Sequence, residues 1–455
     1  MYKRIGVYFI LYVITAGIIA SVVFLSPTND DTYPFLRFLV SLTGSFLLIK
    51  YVKSFIYMNI APWYLVQKKQ RERKCPAASY NPLVSVIIPA YNEEIGLVNT
   101  VKTILLSEYK NLEVIVVNDG STDKSHERMT KFAREWRSQV RKSGRTDIKL
   151  KYSYKENGGK GRALNHALRR ASGDIIITID ADCAILPQTI GNFVKPFADP
   201  TVSAAVGNVK IGNLDTVVGV VQYLEFLFSF YFKKAESVMG TIYIIGGAAG
   251  AFRRDVFREL GKYNHSNITE DIELSVRIQQ AGKKIVYADD ALVYTEGAST
   301  VASLAKQRTR WKRGWFQTFY QNPALIFSRK KQHNKILSWF LLPLGFYNNG
   351  QLIFEPWFML FLYVYSYLIQ DFSSFITWMG IESTMFYILF VFEQGRHRNP
   401  MFLALSPIGW LLFYVSTYVE YRALLGSIWA TLSKREIVWQ KWERRGMMDG
   451  IAIPR

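Results

Sequence analysis

An apolar run, Ile175 to Ile179, stops abruptly at two aspartates separated by one small residue, Asp180-Ala181-Asp182. A short run of this kind, bounded by turn residues, reads as a buried strand. Paired carboxylates at the carboxyl end of a central strand make a site for a hard divalent cation, Mg2+ or Mn2+, which takes one or two carboxylates plus substrate phosphates. Ala181 lets the backbone approach a ligand. Alone, the pair reads first as an acidic turn after a strand, so its meaning depends on what flanks it.

The flanks are unusually apolar: of 455 residues, 49% are hydrophobic and 15% aromatic, high for a soluble protein. Ile5 to Leu25 is uncharged for 21 residues, enough to span a bilayer, and no small-residue cleavage site follows it. A second span runs from about Phe35 to Met58, with Arg37, Lys50 and Lys53 at its ends. Lys3 and Arg4 precede this hairpin, Lys68, Lys69, Arg71, Arg73 and Lys74 follow it, and Ser26 to Tyr33 carries no Lys or Arg. Both flanks are therefore expected in the cytoplasm. The net charge of +20 lies largely beside apolar segments, where topology and anionic lipid explain it without nucleic acid. Cys75 and Cys183, both on the cytosolic side, give neither a disulfide framework nor metal-ligand spacing, and Cys183 reads as a small buried filler.

After Pro82, short β-rich runs alternate with helical segments, the pattern of a mostly parallel sheet with crossovers. Val84 to Ile88 ends in Pro89-Ala90-Tyr91-Asn92-Glu93-Glu94, and Glu113 to Val117 ends in Asn118-Asp119-Gly120-Ser121-Thr122-Asp123. Lys149 to Tyr154 leads into Asn157-Gly158-Gly159-Lys160-Gly161-Arg162, a turn whose glycines and lysine suit a phosphate. Ligands of open α/β sheets bind outside the carboxyl ends of strands, so these loops mark the candidate rim.

Five motifs stand in order: Val86-Ile87-Ile88-Pro89-Ala90-Tyr91-Asn92-Glu93, Val117 to Asp123, Asp180-Ala181-Asp182, Thr269-Glu270-Asp271, and Gln307-Arg308-Thr309-Arg310-Trp311. This set resembles that of the membrane-embedded processive family 2 glycosyltransferases, which include cellulose, chitin, hyaluronan and poly-N-acetylglucosamine synthases. The resemblance implies a cytosolic α/β GT-A (Rossmann-like) catalytic domain in an α-helical transmembrane protein, and a UDP-sugar donor. On the donor side it implies Tyr91 and Glu93 on the loop framing the nucleotide, Asp119 reading the uracil end, and Lys160 on the diphosphate. It also implies Asp180 on the nucleotide side, Asp182 holding the metal, and Gln307 and Arg310 completing the donor site. Asp271, with Glu270 beside it, resembles the catalytic base that takes the acceptor proton, and an apolar environment raises such a group toward the working range.

Each of these residues also has a plainer reading. Thr269-Glu270-Asp271 opens a helix, with Thr269 at the N-cap, and taken by itself reads first as a capping-box fragment. Gly246 to Gly250 requires close backbone approach, either to a sugar at Gly247 or to a neighbouring strand. Gln307, Arg310, Trp311 and Gly314 share one helical face. There Trp311 can stack on an acceptor sugar, whereas Lys312, Arg313 and Trp315 read as membrane-interface anchors. Val217 to Phe232 is apolar enough to cross a membrane, but a crossing would separate Asp271 from Asp182, so it is expected to lie at the interface.

From Ile336 to Val419 the chain is mostly apolar, interrupted at Asn348 to Gln351, Gln370-Asp371 and Glu393 to Asn399. Glu355 and Glu382 within it face either a polymer exit path or helix-packing partners. Arg396 and Arg398 place their loop in the cytoplasm, as do Lys434, Arg435, Lys441, Arg444 and Arg445 for the tail; with one span between, the larger tail cluster is preferred. The expected division is a transmembrane hairpin at 1–60, the GT-A domain at 61–300, an interfacial helix at 301–335, a transmembrane region at 336–432 and a basic cytosolic tail at 433–455.

The leading expectation is processive inverting transfer from a UDP-sugar, preferably UDP-N-acetylglucosamine, to a growing β-linked polysaccharide exported across the plasma membrane. Partners would be the donor, the polymer, the bilayer and a small membrane accessory subunit. The alternatives are single transfer to a lipid acceptor and a silent glycan-binding scaffold; intact Asp119, Asp180, Asp182 and Asp271 argue against the scaffold.

Overall fold

The computed structural model describes residues 52–143, 148–392 and 401–433, with isolated positions at Phe35, Phe38, Ile49 and Gly446. The expected span from Ile5 to Leu25, most of the second, the Arg396-Arg398 loop and nearly all of the tail lie outside the described residues.

Among the described residues eight strands form one sheet in the order β3-β2-β1-β4-β7-β6-β8-β5. β1 (Val84–Ala90), β2 (Leu112–Asp119), β3 (Ile148–Lys155) and β4 (Ile175–Thr178) are mutually parallel where they pair. β1 shows why. Val84, Val86 and Ile88 enter one hydrophobic core while Ile87 enters the other, so the strand is buried on both faces, as a parallel strand covered by helices must be. α1 (Trp63–Lys74) precedes this half, α2 (Leu97–Leu105) and α3 (Ser125–Ser143) cross over between its strands, and α4 (Lys160–Leu168) leads from β3 to β4.

The second half departs from the parallel expectation. β7 (Gly250–Arg253) runs antiparallel to both β4 and β6 (Val202–Ile211), and β5 (Cys183–Ile185) antiparallel to β8 (Lys284–Thr295), whereas β6 and β8 are parallel. Because Thr178 pairs with Gly250, the loop entering β7 arrives at the rim where β4 ends. α5 (Thr189–Val194) and α7 (Arg254–Glu259) are short connectors.

α6 (Val217–Met239) includes the apolar segment from Val217 to Phe232. Thr216 caps it by accepting from Gly219 N–H, and Val221, Leu224, Leu227 and Tyr231 are buried in the protein's own core. A third cluster joins α6 to α8 (Glu270–Gln280), α9 (Val301–Gln321), α10 (Leu342–Leu368) and α11 (Ser373–Phe392). The Asn348-Gln351 interruption proves to be continuous helix within α10; Asn349 there accepts from Lys312 Nζ at 2.9 Å. After α12 (Met401–Leu405) comes α13 (Gly409–Leu432). Among the described residues no single helix is long and apolar enough to cross a membrane. One pair, Met401–Leu412 with Tyr414–Leu432, reaches that length and apolarity jointly, bent by 41°.

At the opposite end of the parallel strands from the rim, Glu113 ties four segments together. Its carboxylate accepts from Ser85 Oγ at 2.6 Å, Lys151 Nζ at 2.6 Å, and Ser172 N–H and Oγ at 2.5 and 2.8 Å. Burial alone would raise its pKa, but these donors hold it at about 2, below the ordinary 4.5. A depressed carboxylate stabilises the fold above its unfolded value, and that contribution disappears as pH falls through the folded one. Glu113→Gln is expected to lower stability at pH 7 by on the order of 3 kcal/mol and to flatten the loss of melting temperature that the parent shows between about pH 4.5 and 2. Thermal unfolding across that window measures both.

Candidate active site

The ends of β1 and β2 are level, Ala90 opposite Asn118, so the loops that follow them meet. Asn92 takes φ of 53°, a left-handed conformation that asparagine tolerates. Three successive amides of the first loop donate to side chains at the start of the second: Asn92 to Ser121 Oγ at 2.9 Å, Glu93 to Ser125 Oγ at 2.8 Å and Glu94 to Asp123 Oδ2 at 3.1 Å. In return Thr122 N–H donates to Asn92 Oδ1 at 2.8 Å and Lys124 N–H to Glu94 Oε2 at 3.1 Å. Tyr91 is half-buried on this joint structure and Glu93 is buried.

Asp119, the last residue of β2, is buried and accepts from the loop between β3 and α4. Gly158 N–H lies 3.1 Å from Oδ1, Gly159 N–H lies 2.7 Å from Oδ2, and Lys155 Nζ forms an ion pair with Oδ1. Gly120 turns the chain at φ of 73°, where a methyl group would lie 2.5 Å from Asn157 N. The Gly158-Gly159 pair therefore places backbone amides on a carboxylate, a partner the phosphate reading did not anticipate.

Lys160 stands where four segments converge. Its Nζ lies 2.7 Å from Asp180 Oδ1 and 3.7 Å from Glu270 Oε1. Burial opposes its charge, yet the negative charges of Asp180, Glu270 and Asp271 outweigh burial and raise its pKa. Glu270, 5% exposed, is pushed up chiefly by burial and also by Asp271, against the opposing charges of Lys160 and Arg310. Asp271 Oδ2 accepts from Gly247 N–H at 2.7 Å and its Oδ1 from Ile272 N–H at 2.9 Å. A methyl group at Gly247 would lie 2.7 Å from Lys160 Nζ and 3.3 Å from Asp271 Oδ2, so the glycine lets this loop close onto both charges. Thr269 occupies the N-cap position of α8 but makes no cap hydrogen bond; its hydroxyl donates to Asn267 Oδ1 at 3.2 Å.

α9 carries the remaining candidates. Among the described residues Gln307 Oε1 is buried without a hydrogen-bond partner, Arg310 is close enough to influence Glu270, and Trp311 is half-buried with the Arg308 guanidinium 4.3 Å from its ring centre. Gly314 seats the helix directly against the acidic motif: a methyl group there would lie 2.3 Å from Thr269 Cγ2. Trp315 is not an interface anchor. It is 8% exposed and packs against Phe316, Phe319 and Phe346, with centroids 5.1, 4.8 and 4.6 Å away. Lys312 is likewise engaged, 2.9 Å from Glu420 Oε2. Gly314→Ala is expected to destabilise the fold by about 1–3 kcal/mol through overpacking, and to reduce turnover more than donor binding because Thr269 leads directly into Glu270 and Asp271. Thermal unfolding with binding and rate measurements separates the two effects.

Asp182, 8% exposed, accepts from the Cys183 thiol at 3.4 Å. Burial, with the Asp182 and Asp180 charges, pushes that thiol's pKa up, so Cys183 is a protonated donor as well as a filler. Among the described residues no group of three or more His, Cys, Asp or Glu is placed to hold a metal ion by itself. Asp180 and Asp182 are a two-carboxylate donor set that fits a hard cation completed by substrate phosphate and water.

Several contributors were not singled out from sequence: Ser121 and Ser125 as amide acceptors, Lys155 on Asp119, and Arg308. The first two lie in or beside the polar loop that follows β2; Lys155 carries no mark beyond its charge, and Arg308 stands inside the fifth motif, three residues before Trp311, where nothing local gives it a role.

The family models that match are Glycosyl transferase family 2, over residues 85–261, and Glycosyl transferase family group 2, over residues 175–392. The chain is 29% identical over 233 residues to a poly-beta-1,6-N-acetyl-D-glucosamine synthase of Staphylococcus epidermidis, covering 51% of this chain and 54% of that protein. It is 28% identical over a stretch of the same length to the Staphylococcus aureus (strain COL) synthase of that name. The chain thus spans about half the length of the curated relatives it matches. Among solved structures, a mannosyltransferase from Pyrobaculum calidifontis, in complex with GDP-Man and Mn2+, superposes with a TM-score of 0.54 at 20% identity, over 87% of this chain and 100% of that one. That likeness shows the fold, a GT-A-like mixed Rossmann-type sheet. The overlapping matches run from residue 85 to residue 392, so the part of the chain that holds this site is a glycosyltransferase domain of the family 2 kind.

Proposed function

We propose that this glycosyltransferase transfers sugar from UDP-N-acetylglucosamine, processively and with inversion, to a growing β-linked polysaccharide that it also passes across the cell membrane. The observation that carries the reading is the convergence of Lys160, Asp180, Glu270, Asp271 and the Gly247 amide at one rim of the sheet. The poly-N-acetylglucosamine synthase relatives support the choice of donor and polymer.

In this reading Tyr91, Glu93 and Asp119 hold the nucleoside end of the donor, with Gln307 and Arg310 reaching the site from α9. Asp271 accepts the proton of the acceptor hydroxyl, whose oxygen forms the new bond to the anomeric carbon as the bond to the diphosphate breaks. Lys160 exchanges its pairing with Asp180 for the departing diphosphate, a charge it can stabilise without proton transfer. A divalent ion, Mg2+ or Mn2+, held by Asp182 would supply Lewis-acid stabilisation of the same leaving group. Trp311 presents its indole to the terminal sugar of the acceptor. The apolar terminal segments and their Lys/Arg flanks support a multi-pass protein of the plasma membrane with the 61–300 domain in the cytoplasm.

The test is a panel of radiolabelled UDP-sugars supplied to membranes containing the full chain. Polymer formed from UDP-N-acetylglucosamine alone is the expected result. Single-residue incorporation into a lipid-extractable product, or polymer only from a different donor, would overturn the reading.

A further inference from the structure

Arg308 is an unusual neighbour for an acceptor platform. Its side chain is 7% exposed, and it is gripped by carboxylates from two other helices: Glu225 of α6, in direct ion-pair contact, and Glu420 of α13, whose Oε1 lies 3.2 Å from Nε. Ser416, on α13, donates to the other oxygen of Glu225, and Lys312, one turn along α9, pairs with Glu420 at 2.9 Å. The guanidinium so fixed lies 4.3 Å from the centre of the Trp311 ring, where a cation is attracted to the negative face of the indole. One face of Trp311 is therefore occupied by a group that cannot move without breaking two partly buried ion pairs, and only its other face and edges are left for a ligand.

We propose that Arg308 is a positioning residue. It sets the plane of the Trp311 indole, and through Glu225 and Glu420 it ties that plane to α6 and α13, so that the helix near the chain's C-terminus sets the register of the acceptor. This rests on the reading of Trp311 as the surface that receives the acceptor sugar. Arginine suits the role because its planar fork can stack on a ring while its edge meets two carboxylates. Lysine keeps the charge but cannot make both contacts together with the stack.

Arg308→Lys is the informative variant, since it leaves Glu225 and Glu420 beside a cation and so protects folding. Its products should be shorter and its elongation rate lower by roughly 10–100-fold, the scale expected when an acceptor is misplaced by about an ångström, with UDP affinity and donor KM unchanged. Trp311→Ala and the double variant complete a cycle. In the Trp311→Ala background Arg308→Lys should change elongation by less than about twofold, because the plane it sets is gone. Normal product length in Arg308→Lys alongside a collapse in Trp311→Ala would overturn the positioning role and leave the platform intact. Unaffected elongation in Trp311→Ala would instead overturn the platform. Additive losses in the double variant would mean that Arg308 acts through packing alone, which also overturns the inference. Glu420→Gln provides the remote arm: shortened products at unchanged donor KM are expected, and full-length products would remove α13 from the coupling.

Discussion

Asp271→Asn is expected to bind UDP and UDP-sugar with nearly the parent affinity while transfer falls by about 10²–10⁴, the usual contribution of a positioned general base. The geometry favours this separation. Asparagine can keep its side-chain oxygen on Gly247 N–H, which now donates to Asp271 Oδ2 at 2.7 Å, so the loop keeps its position. What disappears is the capacity to take a proton from an acceptor hydroxyl. Glu270 does not replace it, because its carboxylate is 5% exposed and lies within 3.7 Å of Lys160. Equilibrium binding of UDP together with initial rates of radiolabel incorporation checks the split. A loss of affinity as large as the loss of rate would move Asp271 to the donor side.

The second large effect is expected at Asp182. Asp182→Asn should bring transfer below detection and abolish the divalent-ion dependence of UDP binding, with the melting temperature little changed. The amide oxygen can still accept from the Cys183 thiol, so the local packing survives while the anionic oxygen ligand is lost. Titrating Mn2+ against UDP binding in both proteins reads the effect directly. Parent-like turnover, or an undiminished Mn2+ dependence, would remove Asp182 from the metal role.

Much of the parallel half of the sheet was legible because each strand there is an apolar run ended by a polar, turn-forming loop, as at Ile88 and Val117. The antiparallel half was not. β5 is three residues long and β7 four, too short for period or propensity to register, and their pairing is fixed by long-range contacts such as Thr178 opposite Gly250. The acidic and glycine motifs were visible, and the fold brings Lys160, Asp180, Glu270, Asp271 and Gly247 together, but their partners were hidden. Nothing in the sequence pairs Asp119 with Lys155 or Arg308 with Glu420, since an ion pair between distant segments leaves no local pattern. Trp315 misled for a related reason. An aromatic on a basic helix looks the same whether it meets lipid or Phe346, and only tertiary packing distinguishes them.

The lacing of Asn92, Glu93 and Glu94 onto Ser121, Ser125 and Asp123 bears on where this enzyme can afford to be soft. Ordering a loop residue costs about 1–2 kcal/mol of backbone entropy, and here that ordering accompanies folding instead of waiting for the nucleotide. A pocket built this way accepts its ligand as a fixed mould, with a fast, temperature-insensitive fit and slow amide exchange at Asn92, Glu93 and Glu94 even when empty. Motion between catalytic cycles then falls to the elements not stitched to this mould.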